Sequence, residues 1–245
     1  MIELFFRPFF AGIFLENELG TSSKFFKYVF SRFNSGLASL PENGMQSIPD
    51  NLMKKIDKEN VLFEKKVVEI GGQKDIFFDD GKKMHANNIV LTGESRRLVN
   101  EPIGQYNYTK TLYISSRICP ERKEYIHLYP CDDLINNIAI PTGISSSYSE
   151  DGDHLFSVTV LKDKISEDDL IDGVINRLKK YYGGEKGDYK FLKLIDIKKG
   201  TLIQLPGYFE HQTSQNGDII ISGEHQTNGS IEGAIISGIE AANYL

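Results

Sequence analysis

Residues 217–242 constrain the chain more than any other stretch. Gly217-Asp218-Ile219-Ile220-Ile221-Ser222 reads as a short apolar strand that stops on Gly223 and the carboxylate Glu224. A polar loop follows, and Ser230 supplies helix-start chemistry for a run in which Ile231, Ala234, Ile235, Ile239 and Ala242 recur at helical spacing. The pattern predicts a strand, a loop and a helix that carries this apolar stripe. A helix N-terminus carries unpaired N–H groups and partial positive charge, so it favours a negative or electron-rich group set against it. Gly229 and Ser230 keep bulk away from that end, while Gly233, Ala234, Ser237 and Gly238 let a planar ligand or a neighbouring strand come close. Glu224 stands where an α/β sheet presents its ligand-binding groups, and a carboxylate there accepts hydrogen bonds from sugar-type hydroxyls. Taken alone, the spacing is met equally well by an ordinary strand-loop-helix with Ser230 as N-cap.

Upstream, the periodicity changes several times. Phe25, Phe26, Val29, Phe30 and Phe33 repeat at helical spacing after Gly20-Thr21-Ser22, giving an almost wholly aromatic face suited to core packing or to the wall of an apolar pocket. A turn at Leu40-Pro41-Glu42-Asn43-Gly44-Met45 leads into a short helix with Ile48, Leu52 and Ile56, where Pro49 is tolerated in the first turn. From Asn60 the runs become short and β-like: 61–63, 67–70 and 76–78, ended by Asp79-Asp80-Gly81, then a continuous apolar strand over 88–93 that closes on Gly93. Strands are expected at 111–115, 125–129, 136–140 and 154–160, separated by turn-rich stretches as in an antiparallel sheet. Ser166 and Asp169 approximate a capping box for a helix carrying Leu170, Ile171, Val174, Leu178 and Tyr181 that ends at Gly183-Gly184. No internal repeat or low-complexity linker is evident.

Composition excludes several function classes. A net charge of −6 across 245 residues, with only short basic clusters such as Lys54-Lys55 and Lys179-Lys180, argues against nucleic acid or an anionic membrane as partner. Two cysteines, Cys119 and Cys131, are too few and too far apart for a CxxC motif or a disulfide framework, which predicts a reduced, cytoplasmic setting. No apolar run is long enough to span a membrane, and the opening Met1-Ile2-Glu3-Leu4-Phe5-Phe6-Arg7-Pro8 lacks the basic start of a signal peptide. The five histidines show no metal spacing with one another; His225, beside Glu224, is the one that could line a ligand.

The segment Ile-Ser-Gly-Glu at 221–224, Gly-Ser-Ile-Glu-Gly-Ala at 229–234 and the following Ser-Gly and Ala-Ala resemble the C-terminal flavin motif of the amine oxidase and phytoene desaturase superfamily of FAD-dependent oxidoreductases. The resemblance implies that Glu224, after Gly223, holds the ribityl chain, and that Gly229, Ser230, Ile231 and Ala234 at the helix start face the pyrophosphate, ribityl and pyrimidine edge. It further implies that Val67, in the strand 67–70, touches the adenine through its backbone. Glu224 stands where the family more often has aspartate. The GxGxxG segment that opens a flavin-binding Rossmann unit occurs nowhere in the chain, so FAD binding is expected to need a further N-terminal segment from a longer parent chain or a separate partner.

The expected fold class is α/β plus α+β: a partial FAD-binding, Rossmann-like domain with an antiparallel-sheet substrate domain. Residues 1–35 and 96–199 are assigned to the substrate domain, and 36–95 and 200–245 to the FAD-binding domain. The expected activity is oxidation of an apolar small molecule by hydride transfer to FAD, which needs no acid-base signature from the protein. The sequence singles out no catalytic residue. The rival expectation is a non-catalytic remnant or interaction subunit that has lost FAD binding.

Overall fold

The alternation in His154–Val160 and the four-residue spacing of Leu170, Val174 and Leu178 meet in one core, and this pairing organises half of the protein. The computed structural model describes residues 1–245 except Asn34, Asp163 and 209–214, and the side chain of Gln73. In chain order the helices are α1 (Arg7–Phe14), α2 (Ser23–Phe33), α3 (Ser47–Met53), α4 (Glu167–Tyr182) and α5 (Ile231–Ala242). The strands are β1 (Val67–Ile70), β2 (Asp75–Phe78), β3 (Lys83–His85), β4 (Ile89–Thr92), β5 (Tyr106–Ser116) and β6 (His127–Leu128), then β7 (Asn137–Ala139), β8 (His154–Val160), β9 (Tyr189–Leu202), β10 (Gln215–Asn216) and β11 (Ile219–Ser222). The chain divides into two compact units, the first made of 1–20, 30–52 and 106–201, the second of 21–29, 53–105 and 202–245.

The first unit is built on a sheet of order β6-β7-β8-β5-β9. β8 pairs antiparallel with β5, setting Val158 opposite Leu112 and Phe156 opposite Ile114, and antiparallel with β7. The inward residues Leu112, Ile114, Ile138, Phe156, Val158 and Val160 are buried with Leu170, Val174 and Leu178 of α4. Each such side chain contributes roughly 1.5–3 kcal/mol by leaving water. The start of α4 is as the sequence predicts: Ser166 Oγ accepts from the backbone N–H of Asp169 at 3.2 Å. β9 was not among the expected strands. Its outward positions carry Lys190, Lys193 and Lys198, so no apolar alternation marks it, and the strand is largely half-exposed. The aromatic start folds into a π-helical turn and α1, with Phe10 and Phe14 buried and Phe9 packed on Phe33 at 5.2 Å between ring centroids. Of the aromatic face expected on α2, only Phe25 is buried; Phe30 and Phe33 remain exposed.

The second unit contains two small sheets. β1-β2-β3 is an antiparallel meander. β10-β11-β4 contains one antiparallel and one parallel pairing: β11 runs parallel to β4, with Ile219 beside Ile89 and Ser222 beside Thr92. Ile89, Leu91 and Ile221 form a buried cluster that Ile70, Ile76, Leu98 and Val99 cover. The strand expected at 61–63 is absent. Glu64 adopts a left-handed backbone, φ 55°, which an extended run cannot continue through, and Phe63 is 75% exposed.

In α5 the apolar stripe is not the buried face, and of the small residues expected to admit a close neighbour, Gly233 and Ser237 lie at the contact. Its Ile231, Ile235 and Ile239 are exposed, and the small residues Gly233, Ser237 and Ala241 are buried instead. Close approach explains this. A helix that packs its backbone against a strand end needs short side chains at the contact, and the isoleucines are then forced outward. Among the described residues no helix is long and apolar enough to cross a membrane, and no group of His, Cys, Asp or Glu is placed to hold a metal; His211 lies outside them.

Candidate functional site at the ends of the parallel strands

The C-terminal ends of β4 and β11 lie side by side, because the parallel pairing carries Thr92 and Ser222 out together. Both strands then turn on a glycine. Gly93 has φ 54° and Gly223 φ 140°, conformations that side chains resist. A Cβ on Gly223 would fall 2.9 Å from Nδ1 of His225 and 3.7 Å from the backbone nitrogen of Gly93. The two turns therefore touch, and the requirement for glycine at 223 is both conformational and steric.

α5 is tied to this junction by its small face. Ser237 Oγ accepts from the N–H of Gly223 at 2.9 Å and lies 3.2 Å from Ser222 Oγ. Ser230 caps the helix, accepting from the N–H of Gly233 at 2.9 Å. Thr227 Oγ1 donates to the Gly233 carbonyl at 2.8 Å, so the loop folds back over the first turn. A Cβ on Gly233 would lie 2.1 Å from the Asn228 carbonyl oxygen, so no larger residue fits there without movement.

Of the residues singled out from the sequence, Gly223, Glu224, Gly229, Ser230, Ile231 and Ala234 share this strand-loop-helix junction. Glu224 is half-buried at the head of a short 3-10 turn, and Ile231 and Ala234 stand on the exposed side of α5. Gly229 is placed by a residue the sequence did not flag: Gln204, 1% exposed, accepts from its N–H at 3.0 Å. Val67 lies in the same unit but on β1, in the other sheet, opposite Phe78. The first turn of α5 already holds an acid, Glu232, which accepts from the hydroxyl of Tyr28.

Beneath the junction sits a buried polar pair that sequence reasoning only half anticipated. His225 is 3% exposed, and its imidazole is pushed down to about 4, first by burial and then by the charge of Arg96. Its Nε2 lies 3.3 Å from the side-chain amide of Gln226. Arg96, 3% exposed in the turn after β4, lies against the Tyr208 hydroxyl, and its Nε is buried without a partner among the described residues. Two consecutive arginines in a polar turn give no sequence signal that one of them is buried.

The donor set fits one edge of a nucleotide-type ligand. It offers a carboxylate at a strand end, the N-terminus of a 12-residue helix beyond it, and glycines at 223, 229 and 233, where the protein packs closely. No curated protein matches the sequence. A reduced UDP-galactopyranose mutase structure is 14% identical, with a TM-score of 0.71 over 99% of this chain and 64% of that one. A protein of Pyrococcus furiosus is likewise 14% identical, with a TM-score of 0.57 over 82% of this chain and 52% of its own. At these identities the likeness is one of fold, and the chain spans only part of each relative. The family model for flavin containing amine oxidoreductases matches residues 1–245. The family is one of flavin-dependent oxidoreductases, and this chain belongs to it.

Proposed function

We propose that the second unit is part of a Rossmann-like FAD-binding domain and the first a substrate domain, together forming the C-terminal portion of an oxidoreductase that oxidises an apolar small molecule. The observation that carries this reading is the side-by-side exit of β4 and β11 onto Gly93 and Gly223, with Glu224 and the start of α5 immediately beyond. In open parallel sheets ligands bind outside the carboxyl ends of the strands. Glu224 receives the ribityl hydroxyls, Ser230 and Ile231 bring helix amides to the phosphate and pyrimidine side, and Gly223 and Gly229 keep the approach clear. Val67 offers backbone to the adenine. Bound FAD supplies hydride acceptance, and this chain's residues orient it and its substrate.

A dinucleotide needs more donors than these, so the proposal includes a GxGxxG-bearing segment supplied by a longer parent chain or a second polypeptide. Among the described residues β4 is an edge strand in the order β10-β11-β4, and this edge and the exposure of Val90 support it, since parallel strands are ordinarily covered on both sides. The test is flavin absorption after gel filtration of FAD with the chain alone and with such a segment. Co-eluting flavin in the combined sample alone supports the reading, and Glu224→Ala should then remove it. Flavin in neither sample supports the second reading, an interaction subunit without cofactor, which the exposed Ile231, Ile235 and Ile239 favour.

A further inference from the structure

The first unit carries a trough of about 800 Å³ whose wall is a set of rings fixed by hydrogen bonds. Tyr129 donates to the Tyr182 hydroxyl at 2.8 Å, and Tyr182 Oη lies 2.7 Å from Nδ1 of His127. Nε2 of His127 is 3.1 Å from the Arg122 carbonyl oxygen. A carbonyl only accepts, so Nε2 bears the proton and Nδ1 accepts from Tyr182. The donors run Tyr129, Tyr182, His127 and end on the Arg122 carbonyl, which accepts. Tyr181 stacks on Tyr129 with ring centroids 4.0 Å apart. Burial, then the hydrogen bond and charge of the neighbouring tyrosines, raise the Tyr182 phenol far beyond its ordinary range, so Tyr182 keeps its proton.

The network ends on a strained residue. Arg122 has φ 53°, unusual for a residue with a side chain, and its carbonyl accepts from both His127 and the N–H of Tyr125 at 3.0 Å. The two bonds fix the backbone of the turn that carries Arg122 and Tyr125 at one lip. Tyr125 is 62% exposed, Ile126 beside it 53%, and among the described residues no carboxylate pairs with the Arg122 guanidinium. Arg122, Tyr125 and Ile126 line the same trough, and a cation, an exposed ring and an apolar side chain in one trough suit a flat ring that carries an anion.

We infer that this trough is a binding site for an aromatic anion, its ring lying against Tyr125 and Ile126 and its phosphate or carboxylate on Arg122. The site lies wholly within the first unit and does not rest on the flavin reading. The chain has no tryptophan and 12 tyrosines, so tyrosine-ring NMR of the full chain reads the wall directly. Phenyl phosphate and benzoate are the probes, and whichever binds more tightly assigns the anion as phosphate or carboxylate. The expected result is saturable shifts with at least one of them, weakened about tenfold by Arg122→Gln and by Tyr125→Ala. Both residues are exposed, so both variants should fold. Inorganic phosphate and phenol, each lacking half of the ligand, should bind at least about tenfold more weakly. No saturable shift with either ring anion, unchanged affinity in Arg122→Gln, or equal binding of inorganic phosphate would overturn the assignment.

Discussion

Ser237 Oγ accepts the backbone N–H of Gly223 at 2.9 Å, and so the buried face of α5 holds the end of β11. Replacing Ser237 with alanine leaves that N–H without this acceptor and removes the contact to Ser222. Ser237→Ala should lower unfolding stability by about 1–3 kcal/mol with an unchanged denaturant slope, as measured in urea. A loss below a few tenths would mean that the junction is not held by this bond.

Gly233→Ala places a Cβ 2.1 Å from the Asn228 carbonyl oxygen. The loop must move or the helix must lift, and overpacking of this kind costs about 1–3 kcal/mol. Gly238→Ala, where nothing lies within 4 Å of the added carbon, is the control and should be neutral or slightly stabilising through helix propensity. Thermal unfolding of the two variants side by side checks the contrast.

The low pKa of His225 makes stability depend on pH. Its folded value of about 4 lies below the ordinary 6.5, so between these values the unfolded chain binds more protons. The contribution is fully present above pH 6.5 and is lost as the pH falls toward 4, by roughly 3 kcal/mol at most. His225→Gln should flatten the difference between unfolding free energies at pH 7.5 and 4.5. An identical pH slope in wild type and variant would remove His225 from the account.

Arg96 contributes to that shift, and its Nε has no acceptor among the described residues. Arg96→Met therefore removes an incompletely satisfied buried charge while keeping volume, and should leave stability unchanged or raise it by about 1 kcal/mol. The His225 pKa should rise toward 6.5, readable by imidazole NMR.

Arg177→Met probes the first unit. Burial alone would raise the Asp132 carboxyl, but the Tyr181 hydroxyl, the Ile135 and Leu134 amides and Arg177 together hold it below its ordinary value. Arg177 Nε donates to Asp132 at 2.8 Å, and Asp132 has a side-chain exposure of 4%. Leaving that carboxylate without its guanidinium should cost about 3 kcal/mol at pH 7, and less in acid strong enough to protonate the carboxyl.

How much of this was legible depended on which side chains carried the information. α4 could be read because its cap, its apolar spacing and its terminal Gly183 agree on one answer. The strand-loop-helix at 219–242 could be placed but not oriented: the stripe of isoleucines is the louder signal, while the contact is made by Gly233, Ser237 and Ala241. β9 escaped because lysines occupy its outward positions, and 61–63 misled because three apolar residues cannot outweigh the left-handed Glu64 that follows. Glu224 and Ser230 were singled out through local motif, whereas Gln204 and Arg96 become neighbours of the junction only through tertiary folding.

The pairing of β11 with β4 also sets a timetable. Ile89–Thr92 leaves the ribosome early, yet its parallel neighbour Ile219–Ser222 is synthesised only after the entire β5-to-β9 sheet has been made. Throughout that interval Leu91 and Ile89 lack the Ile221 contact that helps to bury them. The second unit should thus be the late-folding part of a nascent chain and its most protease-sensitive region, and a stop codon shortly before Gln215 should leave β4 without its parallel neighbour.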